Sequence, residues 1–133
     1  MRRWLCLLLL LVGCSPTSKE DFQYEGEAIC RQLVEELKKV QSREELIKAA
    51  PKLKGRFNEL VDLMIEARVY EQQHEEEFDV IPQASETSQQ LLTELKRVYQ
   101  LEAGRETIEK AQKEALLKLD AYEARRKKIN SAR

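Results

Sequence analysis

Apolar residues recur along this chain at helical spacing, and no segment alternates in the manner of a strand. A first helix is predicted over Asp21 to Gln41, where Ile29, Leu33, Leu37 and Val40 share one face and Cys30 and Val34 widen it. Ser42 and Glu45 form a capping box, so a new helix starts there. It carries Leu46, Ile47 and Ala50 as a short corner helix that ends at Pro51, because proline lacks an amide donor and disfavours helix in the residue before it. Pro51 suits the first position of the next helix. There Leu53, Phe57, Leu60, Met64 and Ala67 step by four, three, four and three, with Val61 and Ile65 alongside. Phe78 to Pro82 breaks that helix, and Ser85 or Thr87 can cap the following one, which carries Leu91, Leu92, Leu95, Val98 and Tyr99. Leu101, Ile108, Ala115 and Tyr122 continue at intervals of seven, with Ala111 and Leu119 between. The two registers meet at Val98 and Leu101 beside Gly104, as a stammer or a break. No turn cluster surrounds the glycine, so one long helix bent at Gly104 is expected. The fold class that follows is all-α: an antiparallel, coiled-coil-like helical bundle over residues 22–129, with three main helices plus a corner helix and frayed residues 130–133.

The first residues read differently. Arg2 and Arg3 precede an uncharged apolar run from Trp4 to Val12, nine residues long, whereas a bilayer-spanning helix takes about 20. A removable signal peptide fits that length. The run closes on Leu11-Val12-Gly13-Cys14, which resembles the lipobox of bacterial lipoproteins: an aliphatic residue, a small or aliphatic one, Gly, Ala or Ser, then Cys. The resemblance implies that residues 1–13 are cleaved, that Cys14 carries a diacylglycerol on its sulfur and that its new amine is acylated, with chains such as palmitate. Two or more such chains anchor a protein stably, where one binds only marginally. It also implies a cell-envelope location, with Ser15 favouring the outer membrane if the host has two. Residues 14–21 form a polar, proline-containing tether.

Composition narrows the function classes. Losing Arg2 and Arg3 takes the 23 basic residues to 21 against 24 acidic ones, a balance that creates no field for nucleic acid. Cys6 leaves with the signal and Cys14 is consumed by lipid, so Cys30 is the lone thiol, either buried as a small hydrophobe or joined between chains.

Candidate chemistry is sparse. His74 stands in Glu71-Gln72-Gln73-His74, the Glu-x-x-His spacing of di-iron bundles, but that chemistry needs the motif twice and no second histidine exists. No nucleophile elbow or glycine-rich phosphate loop is present. The carboxylate pairs Glu35/Glu36 and Glu44/Glu45 diverge around their helices and read as solvated surface. Arg125 to Lys128 either complements a helix C-terminus or contacts an anionic polymer, lipid headgroups or an acidic partner. The chain does not end in lysine, which argues against the covalent peptidoglycan attachment of some short helical lipoproteins. No cofactor, metal, small-molecule substrate or catalytic residue is expected. The expected function is that of a membrane-anchored structural or protein-interaction module, docking on a partner or on itself; the alternative is a periplasmic holdase or carrier of apolar clients.

Overall fold

The computed structural model describes residues 16–132. The segment read as a signal peptide, residues 1–13, and the expected lipidation site Cys14 lie outside them. Four helices form: α1, Lys19–Lys38; α2, Arg43–His74; α3, Glu86–Tyr99; and α4, Gly104–Ser131. The molecule is an all-α helical bundle, with no strand among the described residues.

α1 begins earlier than the apolar stripe predicts. The Ser18 hydroxyl accepts from the Asp21 amide at 3.2 Å, so Lys19, Glu20 and Asp21 form the first turn and the segment read as a tether ends at Ser18. Two acidic residues there suit the positive end of the helix dipole. The Asp21 carboxylate in turn accepts from the Thr17 amide and hydroxyl, at 3.1 and 3.0 Å. Those bonds hold its carboxyl below the ordinary aspartate value.

The corner helix does not exist as a separate element. Ser42 caps a helix as expected, accepting from the Glu45 amide at 3.2 Å, but that helix runs on through Pro51 for 32 residues. Pro51 is tolerated because its missing donor frees only the Ile47 carbonyl, and both residues are exposed, so water can satisfy that oxygen. Proline still costs up to about 3 kcal/mol relative to alanine inside a helix. Pro51→Ala is therefore expected to stabilise the protein by about 1–3 kcal/mol, read as a higher urea midpoint. A lower midpoint would mean that Pro51 serves the packing of the neighbouring turn.

α2 stops at His74, before the Phe78 to Pro82 segment expected to break it. Glu75 adopts a left-handed conformation with φ 49°, and the amides of Glu75 and Glu76 both donate to the Glu71 carbonyl. The last two helices are also separate, contrary to the expected continuous helix. The chain reverses over residues 100–103, with Ala103 left-handed at φ 58°. α4 then persists to Ser131, into the stretch expected to fray.

Consecutive helices run antiparallel. α1 touches α2 and α3, while α4 touches α2 along its length and α3 only slightly. The neighbouring pairs α1/α3 and α2/α4 are consequently parallel, and the connection over residues 75–85 returns the chain past α1. At the end holding the α1–α2 turn, the core contains Leu33, Leu37, Leu46, Leu53, Val98 and Ile108, each with no exposed surface. At the other end Phe22, Leu63, Ala67 and Val80 pack together, and the Phe22 ring lies 5.3 Å from Tyr70 and 5.8 Å from Phe78. Gly26 lets the connection approach α1: a Cβ there would lie 2.6 Å from Val80 Cγ1 and 2.7 Å from its carbonyl oxygen.

Candidate interaction surface

A long groove runs between the first three turns of α2 and the N-terminal two-thirds of α4. Its apolar lining is Ile47, Ala50 and Pro51 from α2 and Ala111, Leu116 and Leu117 from α4. Ile47, Leu116 and Leu117 are 52%, 51% and 58% exposed. Leaving such side chains in water forgoes the stabilisation that burial normally brings, so a patch of them marks a surface with another use. At roughly 1440 Å³ and open to solvent, the groove exceeds the few-hundred to about 1,000 Å³ of ordinary small-molecule cavities. It fits an extended macromolecular segment better.

Charge crosses this groove rather than collecting in it. Lys54 Nζ reaches Glu114 Oε2 at 2.9 Å, and this hydrogen-bonded ammonium holds the Glu114 carboxyl below its ordinary value. Arg43, Lys110 and Lys113 share the rim with Glu106, Glu109 and Asp120. A rim of both signs suits a partner helix that is itself charged on its flanks. Further along the same helix pair, Lys118 meets Asp62 at 2.8 Å and Arg68 meets Glu123 at 3.9 Å. Sequence periodicity missed the groove because it placed Ile47 on the core face of the corner helix. Leu116 and Leu117 fall off the seven-residue repeat beside the buried Ala115, and that displacement is the one signal that could have found them.

The residues singled out for chemistry are occupied structurally. His74 stacks on Tyr70 at 3.9 Å between ring centroids, and its Nδ1 lies 3.0 Å from the Tyr70 carbonyl. Glu71, its partner in the Glu-x-x-His spacing, is buried and accepts from the Phe78 amide at 3.3 Å. It secures the start of the 75–85 connection. Among the described residues no group of three His, Cys, Asp or Glu side chains could hold a metal ion. Of the carboxylate pairs, Glu36 pairs with Arg56 at 3.4 Å while Glu35 is exposed. Glu45 belongs to the α2 cap and Glu44 is exposed.

Cys30 has no exposed surface and faces the interior from α1. Burial, followed by the nearby Glu27 charge, pushes its thiol up to about 11. The thiolate is the reactive form, so this thiol is inert at neutral pH. Native protein is expected to resist a disulfide-exchange reagent that modifies it fully in denaturant, and to run as a monomer on non-reducing gels. A reductant-sensitive dimer through Cys30 would require α1 to leave the bundle.

Arg125, Lys127 and Lys128 are exposed and Arg126 half-buried at the end of α4, followed by Ile129 with 60% of its surface exposed. The described residues thus carry two candidate surfaces, the α2–α4 groove and the basic tip of α4. The chain matches no protein family, curated protein or solved structure.

Proposed function

We propose that this protein is a lipid-anchored envelope lipoprotein that acts as a protein-interaction module, holding a helical segment of a partner in the α2–α4 groove. The observation that carries the reading is the set of exposed apolar side chains Ile47, Leu116 and Leu117 within a rim of mixed charge. The anchor rests on the lipobox resemblance ending at Cys14. Its geometry adds a direction: α1 starts five residues after Cys14, so the anchored end is the one with the α1 N-terminus. The groove is lined from the opposite ends of α2 and α4. With α2 rising about 1.5 Å per residue over its 32 residues, the groove faces a partner well clear of the lipid surface.

Two measurements test this. Metabolic labelling with palmitate is expected to mark the protein and to be lost in Cys14→Ala; an unlabelled wild-type protein would remove the anchor. A photo-crosslinker placed at Ala50 is expected to give one discrete adduct in membranes, abolished by Leu116→Glu with Leu117→Glu while the helical content stays unchanged. Adducts that persist in that variant would dismiss the groove, and an adduct with a second copy of the chain would make the module self-associating.

The same open groove favours a second reading, a carrier of apolar clients. That reading expects strong ANS fluorescence from the folded monomer, suppressed by the same two leucine substitutions. A dark, folded monomer would eliminate it.

A further inference from the structure

We infer that the basic tip of α4, Arg125 to Lys128 with Ile129, is a second membrane contact that takes anionic phospholipid headgroups; this rests on the lipid-anchor reading of Cys14. Chain polarity is the first support. Lys19 Nζ lies 3.8 Å from Glu76 Oε1, and Gln23 donates to the Asp79 carbonyl at 3.2 Å, so the α1 N-terminus sits at the α2 C-terminal end. The pairs Lys54–Glu114, Asp62–Lys118 and Arg68–Glu123 advance in the same direction along α2 and α4. The last turns of α4 are therefore at the anchored end. α2 separates α1 from α4, which puts the tip about 20 Å or less to one side of the anchored helix. A five-residue tether spans at most about 17 Å. Anchor and tip can thus meet one bilayer surface together, and the anchor keeps the tip at high effective concentration there.

The second support is the state of the charges. Among the described residues none of Arg125, Arg126, Lys127 and Lys128 enters an ion pair, whereas Arg68 and Lys118 in the same helix pair do. Of the four, only Lys128 lies in the last turn, where a cation complements the helix dipole. Four consecutive cations are spread about 100° apart and form a collar around the helix. A collar suits end-on contact with a charged plane, since long basic side chains can all bend toward it, and an exposed isoleucine one residue on adds an apolar contact. An acidic protein segment would instead be matched by cations on one face.

On α4 itself Glu123 is paired with Arg68, and the remaining acidic residues at this end define an orientation. Glu75, Glu76, Glu77 and Asp79 belong to the connection that packs on α1 through Gly26 and Val80, while α4 lies on the far flank of α2. Glu20, Asp21 and Glu86 also lie on the α1/α3 side. An anionic surface attracts one flank and repels the other, so the bundle leans with the α4 tip toward the lipid.

The experiment uses the lipidated protein carrying a polarity-sensitive dye on Ser131→Cys, Cys30 being buried. It is incorporated into vesicles of phosphatidylcholine alone, or of equal parts phosphatidylcholine and phosphatidylglycerol, with nitroxide quencher on the headgroups. Quenching is expected to be about tenfold stronger with phosphatidylglycerol, to fade as salt shortens the screening length, and to vanish in R125Q/R126Q/K127Q/K128Q. Equal quenching on both vesicles, or a quadruple variant that behaves like wild type, overturns the inference and leaves the collar to an acidic protein. The anchor reading fails separately, by absence of lipid mass on Cys14. In that event the chain with Cys6 and Cys14 replaced by serine and the same dye on Ser131→Cys, titrated with phosphatidylglycerol vesicles, decides the headgroup contact alone.

Discussion

Gly104→Ala is expected to destabilise the protein by about 3 kcal/mol or more, a fall in Tm of roughly 10 °C or more for a domain of this size. Helix propensity alone points the other way, since alanine is favoured over glycine by about 1 kcal/mol inside a helix. The clash decides the sign. A Cβ on Gly104 would fall on the Val98 carbonyl oxygen and lie 3.0 Å from the Val98 carbonyl carbon, and backbone cannot swing aside as a side chain can. The surrounding turn is tied by the Leu101 amide to the Val98 carbonyl at 3.0 Å and the Gly104 amide to the Leu101 carbonyl at 2.9 Å. Relieving the overlap means moving the first turn of α4, and with it Ile108, which has no exposed surface. The neighbouring substitution has the opposite sign. Ala103 sits left-handed at φ 58°, which costs an L-residue about 1–2 kcal/mol, so Ala103→Gly is expected to stabilise by about 0.5–1 kcal/mol after the extra unfolded-state entropy of glycine. Urea unfolding followed by far-UV circular dichroism reads both. A Gly104→Ala protein more stable than wild type would show that the turn had closed into one continuous helix.

That turn marks the limit of what residue patterning can reveal here. Ser42 was legible as a helix start because its chemistry is local: one hydroxyl, one amide three residues on. Leu33, Leu37, Leu53 and Phe57 were legible as core because burial selects a helical period, and all four are buried. The break at 100–103 was not legible, because the left-handed position is filled by alanine and the glycine stands one residue later, where it is needed for a close backbone approach. The step of three from Val98 to Leu101 recorded the disturbance without its size. Pro51 misled in the other direction. Its effect on a helix depends on whether the freed carbonyl faces water, which only the packing of α2 against its neighbours determines. The candidate groove was only faintly legible for a related reason: Ile47 adjoins the buried Leu46 on the expected core face, and the displacement of Leu116 and Leu117 from the seven-residue repeat does not by itself say that they stay uncovered. Cys14 is the reverse case: the expectation of a lipid anchor there rests wholly on contiguous residues.

The second large effect is expected at Arg97, the clasp between α1 and α3. Its Nη2 donates to the Leu37 carbonyl at 2.7 Å and its Nη1 to the Val40 carbonyl at 2.8 Å, while Nε donates to Glu94 at 2.8 Å. The Leu37 carbonyl, in the last turn of α1, accepts from the Val40 amide at 3.0 Å, and the Val40 carbonyl lies two residues past the helix end. Here they lie beside the buried Leu37 and Val40 side chains, and a guanidinium supplies both donors from one rigid fork while its charge suits the negative end of α1. Arg97→Leu keeps much of the apolar stem but removes two charge-assisted bonds, taking the donor from the Val40 carbonyl and leaving the Leu37 carbonyl only its backbone partners, the Val40 amide among them at 3.0 Å. The expected cost is about 2–3 kcal/mol. Arg97→Lys is expected to recover less than half of it, because a single ammonium cannot address two carbonyls in the fork geometry. Glu94→Gln tests the remaining contact and is expected to cost under about 1 kcal/mol, as a partly exposed pair. Hydrogen exchange localises the effect: in Arg97→Leu the amides of residues 37–40 and the last turn of α3 should lose protection before the centre of α2 does. Equal urea midpoints for Arg97→Leu and Glu94→Gln would mean that the carbonyls are satisfied by water. The α1 and α3 ends would then be held together by the packing of Leu37, Val40 and Val98 alone.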